Sequence, residues 1–147
     1  MSSSTFPPPW LKWANKIIIG LQRLGLPFGT MHLLTVPGRR TGAPRTTPVS
    51  PYTVDGQRYV VAGQVDGDWA KNVRAAGNAI LARGRRREDV RLVELPVAER
   101  GRILREFPVK VPHGVTMFLK TGTVESPTPE GFEAAAQRCG VFRIERL

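Results

Sequence analysis

The sequence predicts an α+β fold, a barrel-like arrangement of mainly antiparallel strands with short helices at its margins. Three observations carry that expectation. Several β-prone runs are neighbours joined by short turns, at Asp55-Gly56 and around Gly84, which favours hairpins over parallel crossovers. Helical spacing is confined to brief segments between and after those runs. The 147 residues, 41% of them hydrophobic, carry no internal repeat and no dividing linker, so they suit one domain with its own core.

Residues 1–9 are polar and proline-rich and read as a flexible segment ahead of a single domain over 10–147. Trp10, Trp13, Ile17, Leu21 and Leu24 then recur at helical spacing, with Lys12, Lys16, Gln22 and Arg23 largely on other faces. Pro9 suits the start of that helix, and Gly25 with Pro27 suits its end. Such an amphipathic helix closes the open side of a β-core; its tryptophans and basic residues also suit peripheral contact with a membrane. Its longest apolar run is too short to span a bilayer, and the N-terminus lacks the pattern of a secretory signal.

Strands are expected over 31–36, 46–54 and 57–63, the last two joined at Asp55-Gly56. Asp68 suits the N-cap of a helix over 69–76 that Gly77 ends. Residues 79–82 and 88–95 form a second hairpin turned at Gly84, with Arg83, Arg85, Arg86 and Arg87 around it. Pro96 opens a helix over 97–107. The stretch 109–122 has no clear pattern, although 115–119 is apolar enough to pack. A helix over 129–139 and a closing strand over 141–144 complete the chain.

The net charge of +10 favours anionic partners but does not choose among nucleic acid, phospholipid headgroups and a phosphorylated cofactor. No aromatic stacking series accompanies the basic hairpin, so specific nucleic-acid binding is not expected. Cys139 is the only cysteine, which excludes an internal disulfide and suits a cytoplasmic home. The two histidines, His32 and His113, have no second strong ligand nearby in sequence, so no metal site is expected. No Ser/His/Asp arrangement or carboxylate pair is legible. Cys139 reads as a small buried hydrophobe.

The chemistry concentrates in Gly38-Arg39-Arg40-Thr41-Gly42-Ala43-Pro44-Arg45-Thr46-Thr47-Pro48. Three guanidinium forks suit phosphate or carboxylate oxygens. Glycines at 38 and 42 let backbone N–H groups approach an anion. The turn reads as an anion pocket at one end of a sheet; the plain alternative is a surface loop with solvated arginines.

That segment, preceded by Leu33-Leu34-Thr35 and followed by Tyr59-Val60-Val61-Ala62 and Trp69-Ala70-Lys71-Asn72, resembles the deazaflavin-dependent nitroreductase family. These are small actinobacterial-type proteins that use coenzyme F420. The resemblance runs from about Leu33 to the strand after Asn78. It implies a split β-barrel holding a deazaflavin, F420 in preference to FMN, against its sheet. It places Arg39, Arg40 and Arg45 at the cofactor's phosphate and acidic tail. Thr41 and Thr46 become hydroxyl partners, backbone N–H groups around Gly42 become further donors, and Pro48 completes the cofactor-binding motif. Trp69 and Asn72, at i and i+3, share a helix face; by resemblance they wall the ring and bond its polar edge, the alternative for Trp69 being a packing anchor.

The implied activity is hydride transfer between the deazaflavin and an electron-poor apolar acceptor: a quinone, an activated alkene or a nitro compound. The cofactor performs the redox chemistry, so no catalytic side chain is assigned. A monomer or homodimer is expected. Two departures from the family pattern stand out. Its better-known members carry a Ser-Lys-Gly-Gly-type loop where this chain has Gly63-Gln64-Val65-Asp66-Gly67-Asp68, and tyrosines line their nitroimidazole pocket where here only Tyr52 and Tyr59 occur, on early strands. The altered loop motivates a second reading, a relative that holds a lipid-like or other anionic molecule in the same cleft.

Overall fold

The computed structural model describes residues 31–147. The helix expected from Trp10 to Leu24 lies outside the described residues. Seven strands form one sheet: β1 (His32–Pro37), β2 (Pro44–Val49), β3 (Tyr52–Val54), β4 (Gln57–Ala62), β5 (Asn78–Arg83), β6 (Arg86–Glu94) and β7 (Gly140–Arg146). Their spatial order is β2-β1-β5-β6-β7-β4-β3, and every pair is antiparallel. The two outermost strands, β2 and β3, are consecutive in the chain and separated only by Ser50 and Pro51. Three residue steps span at most about 10 Å, whereas a flat sheet of this order would hold its edges roughly 29 Å apart. The sheet therefore curls back on itself into a split barrel.

Local sequence explains the joints. Asp55 (φ 51°) and Gly56 (φ 79°) both adopt positive φ, the requirement of a type I′ hairpin. The expected 46–54 strand breaks at Pro51, whose ring removes a ladder donor. Helix α1 (Asp68–Ala76) ends at Gly77, but Gly67 is its N-cap, and no side chain caps it. The expected capping role of Asp68 is thus corrected: it occupies the first helical position. Helix α2 (Val97–Leu104) stops short of 107 because Pro108 has no N–H to offer the Leu104 carbonyl. A separate turn, α3 (Phe107–Lys110), follows, then a 3₁₀ turn (Pro112–Gly114) and α4 (Val115–Lys120). The expected 129–139 helix is only α5 (Pro129–Glu133), started by Thr128, whose Oγ1 accepts from Gly131 N at 3.0 Å. Beyond it the carbonyls of Ala136 and Cys139 turn toward Arg100 Nη1, at 3.3 and 3.0 Å.

Period-two alternation divides the core into two layers. Leu34, Val36, Val60, Ala62, Leu81, Val90, Leu92, Phe142 and Ile144 fill the barrel, which Ala70 and Val73 of α1 plug. Tyr52, Tyr59 and Val141 face outward under Ile103, Leu104, Phe107, Phe118 and Phe132 of the C-terminal helices. Strand β7 is buried on both faces, which makes it the hinge of the packing. Cys139 is fully buried, and burial pushes its thiol up to about 12, so it is inert at neutral pH.

Tyr52 Oη donates to the Ile103 carbonyl at 2.7 Å, and burial is the main force holding that phenol protonated. Ile103 O also accepts from Glu106 N at 3.1 Å. Tyr52→Phe therefore leaves no orphaned acceptor and should cost only about 1 kcal/mol in urea unfolding. A loss of about 3 kcal/mol or more would mean that the hydroxyl, and not the ring, anchors α2 to the sheet.

Candidate functional site

The β1–β2 turn is built by its own backbone. Gly38 N donates to Ala43 O at 2.8 Å, Gly42 N donates to Gly38 O at 2.8 Å, and Ala43 N donates to Thr41 Oγ1 at 3.2 Å. Gly42 sits at φ 77°, a conformation that penalises any side chain. The Gly42 N–H is thus engaged inside the turn. Arg40 lies outside this network: neither its backbone N–H nor its guanidinium donates to an acceptor among the described residues.

The turn faces the N-terminal end of α1 across a cavity of about 530 Å³. That volume falls in the range of small-molecule sites. Arg39, Arg40, Thr41, Arg45, Thr46, Trp69 and Asn72 line it, joined by Gly38, Pro44, Thr47 and Asp68. Seven of the nine residues expected at the site thus converge. Gly42 and Pro48 are not among the lining: Gly42 shapes the turn, and Pro48 pairs with Leu33 in the sheet. The four further residues were missed for different reasons. Thr47 and Pro44 lie on an edge strand whose open side only the fold reveals, Gly38 reads as a turn former, and Asp68 reads as a cap.

The three arginines differ in what they hold. Asn72 Oδ1 accepts from the Arg39 backbone N at 3.1 Å and from Arg39 Nη1 at 2.9 Å. Both partners are donors, so the amide orientation is settled. Arg39 Nη2 lies 3.3 Å from Asp68 Oδ1. Arg39 is therefore a strut between the turn and α1. Arg40 and Arg45 form no ion pair among the described residues, and both are exposed along the cavity wall. Thr46 Oγ1 shares a 2.9 Å hydrogen bond with Thr35 Oγ1 across the β1–β2 ladder.

Asn72 is 5% exposed, and its Nδ2 has no acceptor among the described residues. A buried amide whose donors meet no acceptor among the described residues, beside a cavity, suits a ligand oxygen. Trp69 stacks obliquely on Phe142 (5.7 Å between centroids, 43°), so it is a core anchor whose remaining surface lines the cavity. Behind α1, the loop over 63–67 is fixed from the C-terminal third. Thr123 Oγ1 donates to Gly63 O at 3.1 Å, Gln64 Nε2 to Thr123 Oγ1 at 3.3 Å, and Val65 N to Arg138 O at 2.9 Å.

Other candidates lie elsewhere. The arginine-rich tip between β5 and β6 adjoins the start of β1, since Leu33 pairs with Ala82; the cavity adjoins its end, roughly 20 Å away. His113 Nε2 is 3.5 Å from Ser50 Oγ and does not line the cavity. No helix among the described residues is long and apolar enough to cross a membrane.

The curled antiparallel sheet defines a split-barrel protein, with an arginine-lined cavity at its rim. Residues 15–122 match the model of the F420H(2)-dependent quinone reductase family, and the chain belongs to that family. It is an oxidoreductase, an F420-dependent reductase with coenzyme F420 as its cofactor. Solved structures share the fold at low identity. A domain-swapped dimer matches with a TM-score of 0.57 and 18% identity over 92% of this chain and 98% of its own. An F420-H2 dependent reductase matches with a TM-score of 0.53 and 20% identity over 80% and 95%. General Stress Protein 26 from Bacillus anthracis matches with a TM-score of 0.55 and 11% identity over 86% and 84%. No curated protein matches the chain.

The donor set fits such a cofactor. Two guanidiniums without ion-pair partners among the described residues suit a phosphate and carboxylate arm, and the Asn72 amide, which donates to none of those residues, suits a carbonyl oxygen of a ring. Asn72→Ala removes the acceptor of two Arg39 donors and should cost about 2 kcal/mol in urea unfolding. A cost below about 0.5 kcal/mol would show that Arg39 is held by other means.

Proposed function

We propose that the cavity between the β1–β2 turn and α1 holds F420 and that the acceptor is a quinone. The observation that carries this reading is the pair of arginines, Arg40 and Arg45, on the wall of a cavity of cofactor size without any carboxylate partner among the described residues. Arg40 and Arg45 bind the anionic arm, with the Thr41 and Thr46 hydroxyls beside them. Arg39, braced by Asn72, fixes the turn against α1. Asn72 Nδ2 donates to a polar edge of the ring, and Trp69 bounds the ring and excludes water from that side.

In its reduced form the cofactor supplies a hydride, two electrons and one proton. Reduction of a quinone to a hydroquinone needs one proton more. The cavity lining among the described residues holds no histidine, cysteine or tyrosine, and arginine does not give up its proton. The ring N–H proton that the cofactor would lose along with the hydride balances the reaction, exchanged through solvent, and the residues act by binding and orientation. The domain-swapped neighbour supports a homodimer as the working assembly.

The test is oxidation of reduced F420 followed by recovery of its visible absorbance, with a benzoquinone, an activated alkene or a nitroaromatic as acceptor. The quinone should react fastest. Tight F420 binding with no acceleration of any of the three reactions would sink the quinone assignment.

A further inference from the structure

Among the described residues, Asp68 is the single carboxylate lining a cavity that three arginines line, and no structural duty holds it there. It does not cap α1. Its side chain is 89% exposed, and its 3.3 Å pair with Arg39 is a surface contact of little worth to stability. Arg39 does not depend on it, because Asn72 already accepts from both the backbone and Nη1 of Arg39. The neighbouring Asp66 is not among the lining residues; its charge acts on Arg74 on the far side of the loop.

We infer that Asp68 is a specificity-determining residue, an anionic counterweight that limits how much negative charge the cavity accepts beside Arg39. The inference rests on the reading that this cavity holds the F420 arm. An incoming anion meets Asp68 in two ways. It competes with the carboxylate for Arg39 Nη2, and it is repelled by the same charge through a partly aqueous medium. Like charges about 6 Å apart at an effective dielectric of roughly 40–80 alter an equilibrium by about three- to tenfold. Asp68 thereby makes affinity depend on how many charges the arm carries at that end, favouring a lightly charged arm over a carboxylate-rich one. A ligand without the charged arm should not sense it.

The experiment is a fluorescence titration of F420 into the intact wild-type, Asp68→Asn and Asp68→Glu proteins. A parallel titration uses the same ring and ribityl chain lacking the phosphate arm. Asp68→Asn should bind F420 about three- to tenfold more tightly in dilute buffer, with the gain disappearing near 1 M salt, where the screening length is about 3 Å. Asp68→Glu should match wild type, and the armless ligand should not distinguish the three proteins. Equal or weaker binding by Asp68→Asn, or an equal gain for the armless ligand, overturns the inference while leaving the site intact. Failure of all three proteins to bind F420 overturns the site reading itself, and the inference with it.

Discussion

Replacing Arg40 and Arg45 together with alanine is expected to weaken F420 binding by about a hundredfold or more while leaving the fold as stable as before. A hydrogen bond to a charged group contributes about 1.5–3 kcal/mol, and each 1.4 kcal/mol is tenfold in affinity. Each single variant should therefore lose about tenfold or more. Stability should not move, because neither side chain donates to an acceptor among the described residues. Arg39→Ala should behave differently: it removes the strut to Asn72 and Asp68, so binding and unfolding free energy fall together. Fluorescence titration beside urea unfolding separates these outcomes. Retention of wild-type affinity by the double variant would show that the arm lies elsewhere.

Arg100→Ala should be the most destabilising of the polar substitutions, at about 3 kcal/mol in chemical denaturation. Its guanidinium is 9% exposed, and its Nε donates to Leu95 O at 2.9 Å, Nη1 to Cys139 O at 3.0 Å, and Nη2 to Glu94 Oε2 at 3.3 Å. It thus ties α2 to the end of β6 and to the start of the doubly buried β7. Arg102→Ala is the control: that side chain is 55% exposed and only 3.9 Å from Asp55, so its loss should be near zero. The same network sets the acid limit. The hydrogen bond from Arg74 is the chief cause holding the Glu94 carboxyl below its ordinary range, with Arg74 and Arg100 charges adding to it. A depressed folded pKa contributes stability above the ordinary carboxylate range, and that contribution is lost as pH falls through the depressed value. Glu94→Gln should therefore lower stability at neutral pH and flatten the acid limb of the stability curve. An unchanged acid limb would assign it to other carboxylates, Glu88 with its Arg58 fork first among them.

Much of this was legible in the chain, because the signals were local. Asp55-Gly56, Gly77 and Gly84 punctuate the sheet where their backbone freedom is needed, at positive φ. The basic turn drew attention because three arginines and two glycines share one short segment, and all three arginines line the cavity. Contacts made at long range were not legible. Nothing near Arg39 indicates that Asn72, 33 residues away, accepts two of its donors. Asp68 obeys the cap pattern, yet the β-region backbone of Gly67 takes that position and leaves the carboxylate to the cavity. The helix expected over 129–139 stops at Glu133 and continues as turns, and Arg100, far upstream, takes up the Ala136 and Cys139 carbonyls beyond it.

A crystal structure of the F420 complex puts the deepest assumption at risk, namely that the cationic wall beside α1 receives the cofactor's negatively charged arm. Phosphate or carboxylate oxygens should lie about 2.7–2.9 Å from guanidinium nitrogens of both Arg40 and Arg45, with Asn72 Nδ2 bonded to the ring. Cofactor ordered instead at the Arg85–Arg87 tip, with the cavity filled by solvent, would contradict the account.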